Sequence, residues 1–91
     1  MPIWTVKAKN DLKSHLGYIA SDNRDSARDM AIKIKVSCAG LDKFPKVGRI
    51  GAVKETRELV ITGTPYICIY RITGHQVQII RILHTRMMWP E

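Results

Sequence analysis

The hydrophobic period changes once along this chain, and that change restricts the fold more than any other feature. Up to about residue 42 the apolar residues recur every three or four positions. From Glu55 onward they gather in β-branched and aromatic runs separated by glycine-containing turns. A helical half followed by a β half predicts an α+β architecture, not an alternating α/β one.

Residues 3–7, Ile3-Trp4-Thr5-Val6-Lys7, alternate apolar and polar and predict a short opening strand. Ala8, Leu12, Leu16, Ile19 and Ala20 then form the stripe of an amphipathic helix over roughly 8–21. Ser21-Asp22-Asn23 breaks the pattern and offers N-cap oxygens. Ala27, Met30, Ala31, Ile34, Cys38 and Leu41 form a second stripe over about 24–42. So short a polar link predicts an antiparallel helical hairpin. Phe44-Pro45 ends the second helix, and Lys46 to Gly51 reads as a connector.

Strands are expected at 56–61, 66–72 and 76–83, joined by turns at Thr62-Gly63-Thr64-Pro65 and Thr73-Gly74-His75. Such short links make antiparallel hairpins. The predicted order is βααβββ, a mainly antiparallel sheet with the helical hairpin on one face and the other face open. The 91 residues leave room for one core, so 1–91 is expected to be a single domain. No run approaches the ~18 apolar residues of a membrane span. No secretory signal is expected before the first strand, and the expected location is the cytoplasm. Cys38 and Cys68 lie in apolar surroundings and are expected to be reduced core residues.

Charge is the second constraint. The net charge is +7, with 7 Lys/Arg against 5 Asp in residues 1–42 and 8 Lys/Arg against 3 Glu in residues 43–91. A surplus concentrated in the second half suits an acidic partner. If the first β-hairpin turns at 62–65, Arg57 falls opposite Arg71. Like charges there call for an anion, an acidic partner residue or open solvent between them. Arg81 shares the face of Ile79 and Leu83 by simple alternation, and His84 and Arg86 lead into the tail Met87-Met88-Trp89-Pro90-Glu91. Arg57, Arg71, Arg81, His84, Arg86 and Trp89 are therefore the candidate target-binding residues. Glu55 and Glu58 are alternative ion-pair partners for the arginines. The three histidines match no metal motif, and no cofactor is expected. His15 reads as a helix-surface residue and His75 as a turn residue. His84 has the chemistry of an acid or base at neutral pH.

Phe44-Pro45-x-x-Gly48-Arg49-x-Gly51, Thr56-Arg57-Glu58-Leu59-Val60, Tyr66-x-x-x-Tyr70-Arg71 and Val77-x-Ile79-x-Arg81-Ile82-Leu83-His84-x-Arg86-x-x-Trp89-Pro90 follow in order. Tyr18-Ile19-Ala20 and Asp22-Asn23-x-x-x-Ala27 precede them. This series, covering nearly the whole chain, resembles the ParE branch of the ParE/RelE superfamily, the toxins of bacterial type II toxin–antitoxin modules. The resemblance implies a small cytoplasmic toxin neutralised in a hetero-oligomer by an acidic antitoxin. Leu12, Leu16, Arg49, Lys54 and Arg57 are the positions assigned to that antitoxin. ParE-like members inhibit DNA gyrase. RelE-like members cut mRNA on the ribosome, using basic residues on the strand matching 56–61 and an arginine after the tyrosine that opens the next strand. Glu58, Val60 and Ile67 occupy those places here, which favours gyrase. His84 and Arg86, with Arg57, would carry the chemistry of the nuclease alternative. A binding-only member is the third possibility.

Overall fold

The computed structural model describes residues 1–87, 89 and 90. Strand β1 is Ile3–Trp4, followed by helix α1, Val6–Ala20, and helix α2, Arg24–Ala39. A single 3-10 turn at Gly40–Asp42 finishes the second helix, so its last predicted residues are tighter than α. Strands β2 (Arg49–Ile50), β3 (Arg57–Val60), β4 (Tyr66–Thr73) and β5 (Gln76–His84) complete the order. The fold is α+β, as the period change predicts, with one strand more. β2 lies in the stretch expected to be a plain connector and is too short for alternation to reveal it.

Local chemistry accounts for the helix boundaries. The Thr5 hydroxyl accepts from the Ala8 amide at 3.1 Å and starts α1. Asn23 accepts from the Ser26 amide at 3.0 Å and starts α2. Each such cap is worth about 1 kcal/mol. The sheet order is β1-β5-β4-β3-β2. β1 runs parallel to β5, and the other pairings are antiparallel. Gly74, at φ +62, opens the two-residue loop between β4 and β5, a conformation that costs glycine little.

The helical hairpin covers one face of the sheet. Ala8, Ile34, Cys38 and Leu41 from the helical half meet Ile61, Tyr66, Cys68, Tyr70, Val77, Ile79 and Ile82 from the sheet. The Cys38 and Cys68 sulfurs stand 3.8 Å apart as free thiols. The Cys68 thiol is raised well above its ordinary value by its hydrogen bond with Cys38 and then by burial, so it is a poor nucleophile.

Two register details differ from simple alternation. Ile61 pairs with Tyr66 across the first hairpin, which sets Arg57 opposite Tyr70. Arg71 lies opposite Gln78, and its Nε donates to the Gln78 side chain at 2.6 Å. The expected Arg57–Arg71 pair is therefore one residue out of register. The second detail is an irregularity between Ile69 and Tyr70: Ile69 faces Arg81 while Tyr70 faces Ile79. Ile80 is the extra residue. It turns Arg81 to the face opposite Ile79, so the two do not share a face as expected.

The extra residue also aims β5 at α1. Beyond Trp4, β1 no longer covers the edge of β5, and side chains of α1 replace it. Asp11 Oδ2 accepts from the Ile82 amide at 3.0 Å, while the ring of His15 reaches the Ile82 carbonyl at 2.8 Å. A carbonyl only accepts, so His15 Nε2 carries the proton. Residues 11 and 15 are one helical turn apart, and together they satisfy both backbone groups of Ile82. Asp11 also takes a two-pronged bond from Arg81, at 2.7 Å from Nε and 3.1 Å from a terminal nitrogen. Both side chains are largely buried. Removing the carboxylate takes the two-pronged ion pair from buried Arg81 and the acceptor from the Ile82 edge amide together. Asp11→Ala should thus cost about 3–5 kcal/mol, measured by urea unfolding; a loss below about 1 kcal/mol, within the range of exposed pairs, would contradict this account.

Candidate functional site

The candidate residues separate into three places. The first is the end of β5 and the tail. Arg81 is buried, held by Asp11, and the Trp89 ring lies 6.0 Å from its guanidinium carbon. Ile69 and Leu83 share this outer face and are also buried, so this face is not open throughout, as the sequence suggested. Trp89 is half-buried and Arg86 exposed, while Met88 and Glu91 of the tail lie outside the described residues. His84 Nδ1 accepts from the Arg86 amide at 3.1 Å, so its proton sits on Nε2. The Tyr66 ring stands between two imidazoles, 4.6 Å from His15 and 5.5 Å from His84, ring centre to ring centre. His15, expected to be a surface residue, is thus part of the packing at this end. Only the i to i+4 spacing from Asp11 could have hinted at that role.

The second place is the far end of the sheet, where the chain returns from α2. Tyr70, fully buried, donates its hydroxyl to the Pro45 carbonyl at 2.7 Å and accepts from the Gly48 amide at 2.9 Å. Arg57, beside it on the same face, donates to the Gly48 carbonyl at 2.8 Å and to the Lys46 carbonyl at 3.3 Å. A methyl group on Gly48 would come within 2.6 Å of the Tyr70 oxygen, so this position requires glycine for closeness. Arg57 is therefore first a clamp on the 45–48 loop. Arg49 pairs with Glu58 at 3.0 Å, and the second oxygen of Glu58 accepts from the Ala52 amide at 3.1 Å. Of the two acids considered for the arginines, Glu58 takes Arg49, whereas Arg81 takes Asp11. Arg57 and Arg71 still border one open cleft of about 760 Å³, with Thr56, Thr73 and Ile50. Lys54 is exposed on the loop between β2 and β3.

Apart from Arg49, the 43–50 segment held by this clamp has no role expected from the sequence. It reads Lys43-Phe44-Pro45-Lys46-Val47-Gly48-Arg49-Ile50, a basic residue followed by an apolar one three times at a spacing of three. Phe44, Val47 and Ile50 are 63%, 61% and 80% exposed. The signal was visible as a period that fits neither a helix nor a strand.

The third place is a groove of about 500 Å³ between the start of the chain and the two helices. Met1, Trp4, Leu12 and Ala39 line it, with Lys9 and Lys35. Leu12 belongs to it; Leu16 is half-buried on the same helix but does not line it. The residues assigned to an antitoxin therefore fall into two regions, Leu12 here and Arg49, Lys54 and Arg57 at the other end of the sheet. Among the described residues no three His, Cys, Asp or Glu side chains gather as metal ligands, and no helix is long and apolar enough to cross a membrane.

Burial pushes the Tyr70 phenol above its ordinary value; the Gly48 amide and the Arg57 charge pull it down without reversing the shift. An unfolded tyrosine ionises near roughly pH 10, so above that pH the unfolded chain loses the proton first. The stability tied to Tyr70 is therefore complete below about pH 10 and is lost as pH rises through the folded value. Tyr70→Phe should lower stability at neutral pH by about 1–3 kcal/mol, because Gly48 N–H and Pro45 C=O lose their partner. It should also make the alkaline decline shallower, with Tyr66, likewise raised by burial, accounting for part of what remains. Urea unfolding from neutral pH to about pH 11 checks both; parallel alkaline limbs in the two proteins would contradict the assignment.

Residues 3–89 match the family model described as the ParE toxin of the type II toxin–antitoxin system parDE. A protein of Sinorhizobium fredii named toxin Y4kP is 36% identical over 88 residues, covering 97% of this chain and 91% of that protein. Toxin RelE2 of Caulobacter vibrioides is 34% identical over 82 residues, covering 90% and 91%. A solved structure of the chromosomal ParDE toxin–antitoxin system from P. aeruginosa superposes with a TM-score of 0.80 at 26% identity, covering 92% of this chain and 95% of that one. With its helical hairpin on a mostly antiparallel five-stranded sheet, this chain belongs to the ParE toxin family of type II toxin–antitoxin systems.

Proposed function

We propose that this toxin acts in the cytoplasm on DNA gyrase and is neutralised by an acidic, amphipathic antitoxin segment. The observation that carries the choice of target is the way the sheet spends its cations. Arg57 is bonded to two loop carbonyls and Arg81 to Asp11. Val60, exposed, and Ile67, half-buried, lie side by side on the face away from the helices, next to the buried Leu83. Cutting RNA requires positive charge placed around the scissile phosphate. A sheet with Arg57 and Arg81 bonded within the fold, and with Val60 and Ile67 on its outer face, is poorly suited to that work and better suited to contact with a protein. On the antitoxin side, the groove around Trp4 and Leu12 pairs an apolar floor with Lys9 and Lys35, the complement of an acidic amphipathic segment. Lys54, exposed on the loop between β2 and β3, extends the basic surface at the other end.

Ribosome-dependent RNA cleavage is the second reading, favoured by the His84, Tyr66 and His15 cluster beside Arg86. One pair of assays separates the two. Under the gyrase reading, the purified toxin inhibits supercoiling, and Arg86→Ala weakens inhibition roughly tenfold or more, the scale of an interface hot spot. Under the nuclease reading, mRNA is cut on translating ribosomes and His84→Ala slows the cut by about 10²–10⁴-fold. Cleavage with supercoiling unaffected would overturn the gyrase assignment.

A further inference from the structure

Side chains of the sheet tie down the backbone of the 43–50 segment. Four of its backbone polar groups, the carbonyls of Pro45, Lys46 and Gly48 and the amide of Gly48, are bonded to Tyr70 or Arg57. Yet the three apolar side chains that this rigid backbone carries are turned into solvent. Removing any one of them from water would be favourable. A fold that uses a buried tyrosine and an arginine to fix a loop, and then leaves Phe44 and Val47 uncovered, has prepaid the ordering cost of a contact made elsewhere.

We propose that residues 43–50 are a preorganised docking segment for the protein this toxin acts on, with Phe44 and Val47 entering an apolar recess whose rim is acidic. This rests on the reading that the toxin acts by binding a folded protein target. The basic residue before each apolar one fixes the partner's chemistry. Lys43 and Lys46 are exposed beside Phe44 and Val47, so a recess that accepts the apolar groups is approached by two ammonium groups and needs carboxylates at its edge. Nucleic acid fits less well, because Val47 and Ile50 gain nothing against phosphates. A second copy of this chain, at net charge +7, would bring lysines against lysines. A disordered antitoxin segment brings its own adaptability and needs a groove, which the surface around Leu12 supplies. A rigid knob suits a partner whose recess is already formed.

The test uses two variants of the full chain, Phe44→Ser with Val47→Ser, and Lys43→Glu with Lys46→Glu. All four side chains are exposed, so melting temperatures should match the wild type. Growth arrest on induction, binding to the antitoxin encoded with the toxin, supercoiling inhibition with purified gyrase, and sedimentation of the free toxin are the four readouts. Both variants are expected to lose growth arrest and to need roughly 30-fold more toxin for any inhibition of the target, the size of one hot spot, while antitoxin binding is kept. A folded double variant that arrests growth like the wild type overturns the proposal. So does loss of antitoxin binding with growth arrest intact, or a wild-type dimer that either variant dissociates. If the wild type arrests growth but leaves gyrase untouched, the gyrase assignment falls, and the growth assay still decides the role of the segment.

Discussion

The carboxylate of Asp11 is the point on which the two halves of the fold meet. It sits on the first helix, accepts the Ile82 amide, and holds the Arg81 guanidinium by two bonds. The partners are 70 and 71 residues away in sequence, so the pairing spans nearly the whole chain. It works only because Ile80 is an extra residue in β5. Without that slip Arg81 would point at the core, and a buried cation there would have no counter-charge. The same slip places Ile82, not Arg81, on the helix side beside Cys68. His15 completes the contact at the Ile82 carbonyl and carries the packing on to Tyr66 and His84.

The arginines of the second half divide by what their geometry lets them do. Arg57 and Arg81 are structural first: one clamps a loop, the other joins a helix to a sheet. Arg49 is shared between its ion pair with Glu58 and an exposed position on β2. Arg71 and Arg86 remain exposed. A +7 chain is therefore less uniformly sticky than its composition suggests, and its binding character depends on where free cations adjoin exposed apolar groups. The 43–50 segment meets that description on one side of the molecule, and the groove near Lys9 and Lys35 on another.

Much of the fold was legible because it follows from period. The two stripes from Ala8 to Leu41 and the runs from Thr56 to Leu83 determine two helices and three long strands, and the polar breaks at Asn23 and Gly74 place their joints. Register was not legible. Whether the first hairpin pairs residue 61 with 66 or 67 depends on one turn hydrogen bond, and the answer decides whether Arg57 faces Tyr70 or Arg71. The extra residue at Ile80 has no composition signal, because isoleucine fits either face. The candidate site suffered more than the fold. A strand arginine exposed to solvent and one bonded to a loop carbonyl have the same sequence signature, so the bonds of Arg57 to Gly48 and Lys46 are not legible beside the partner role expected for it. His15 was read as solvated because a helix that covers a strand edge needs polar residues there, and polarity alone looks like water.

The covering of β5 by Asp11 and His15 has a consequence for how molecules of this kind associate. An uncovered strand edge invites another chain to continue the sheet, by design or by aggregation. Here a helix occupies the place of the missing strand beyond Trp4, with a carboxylate standing for a carbonyl and an imidazole N–H standing for an amide. Growth of the sheet is thereby blocked along that flank. The opposite flank is built differently: β2 pairs only with Arg57 and Glu58 and stops short of Leu59 and Val60. The two margins of the sheet are thus finished by different means, side chains of the first helix on one and a two-residue strand on the other.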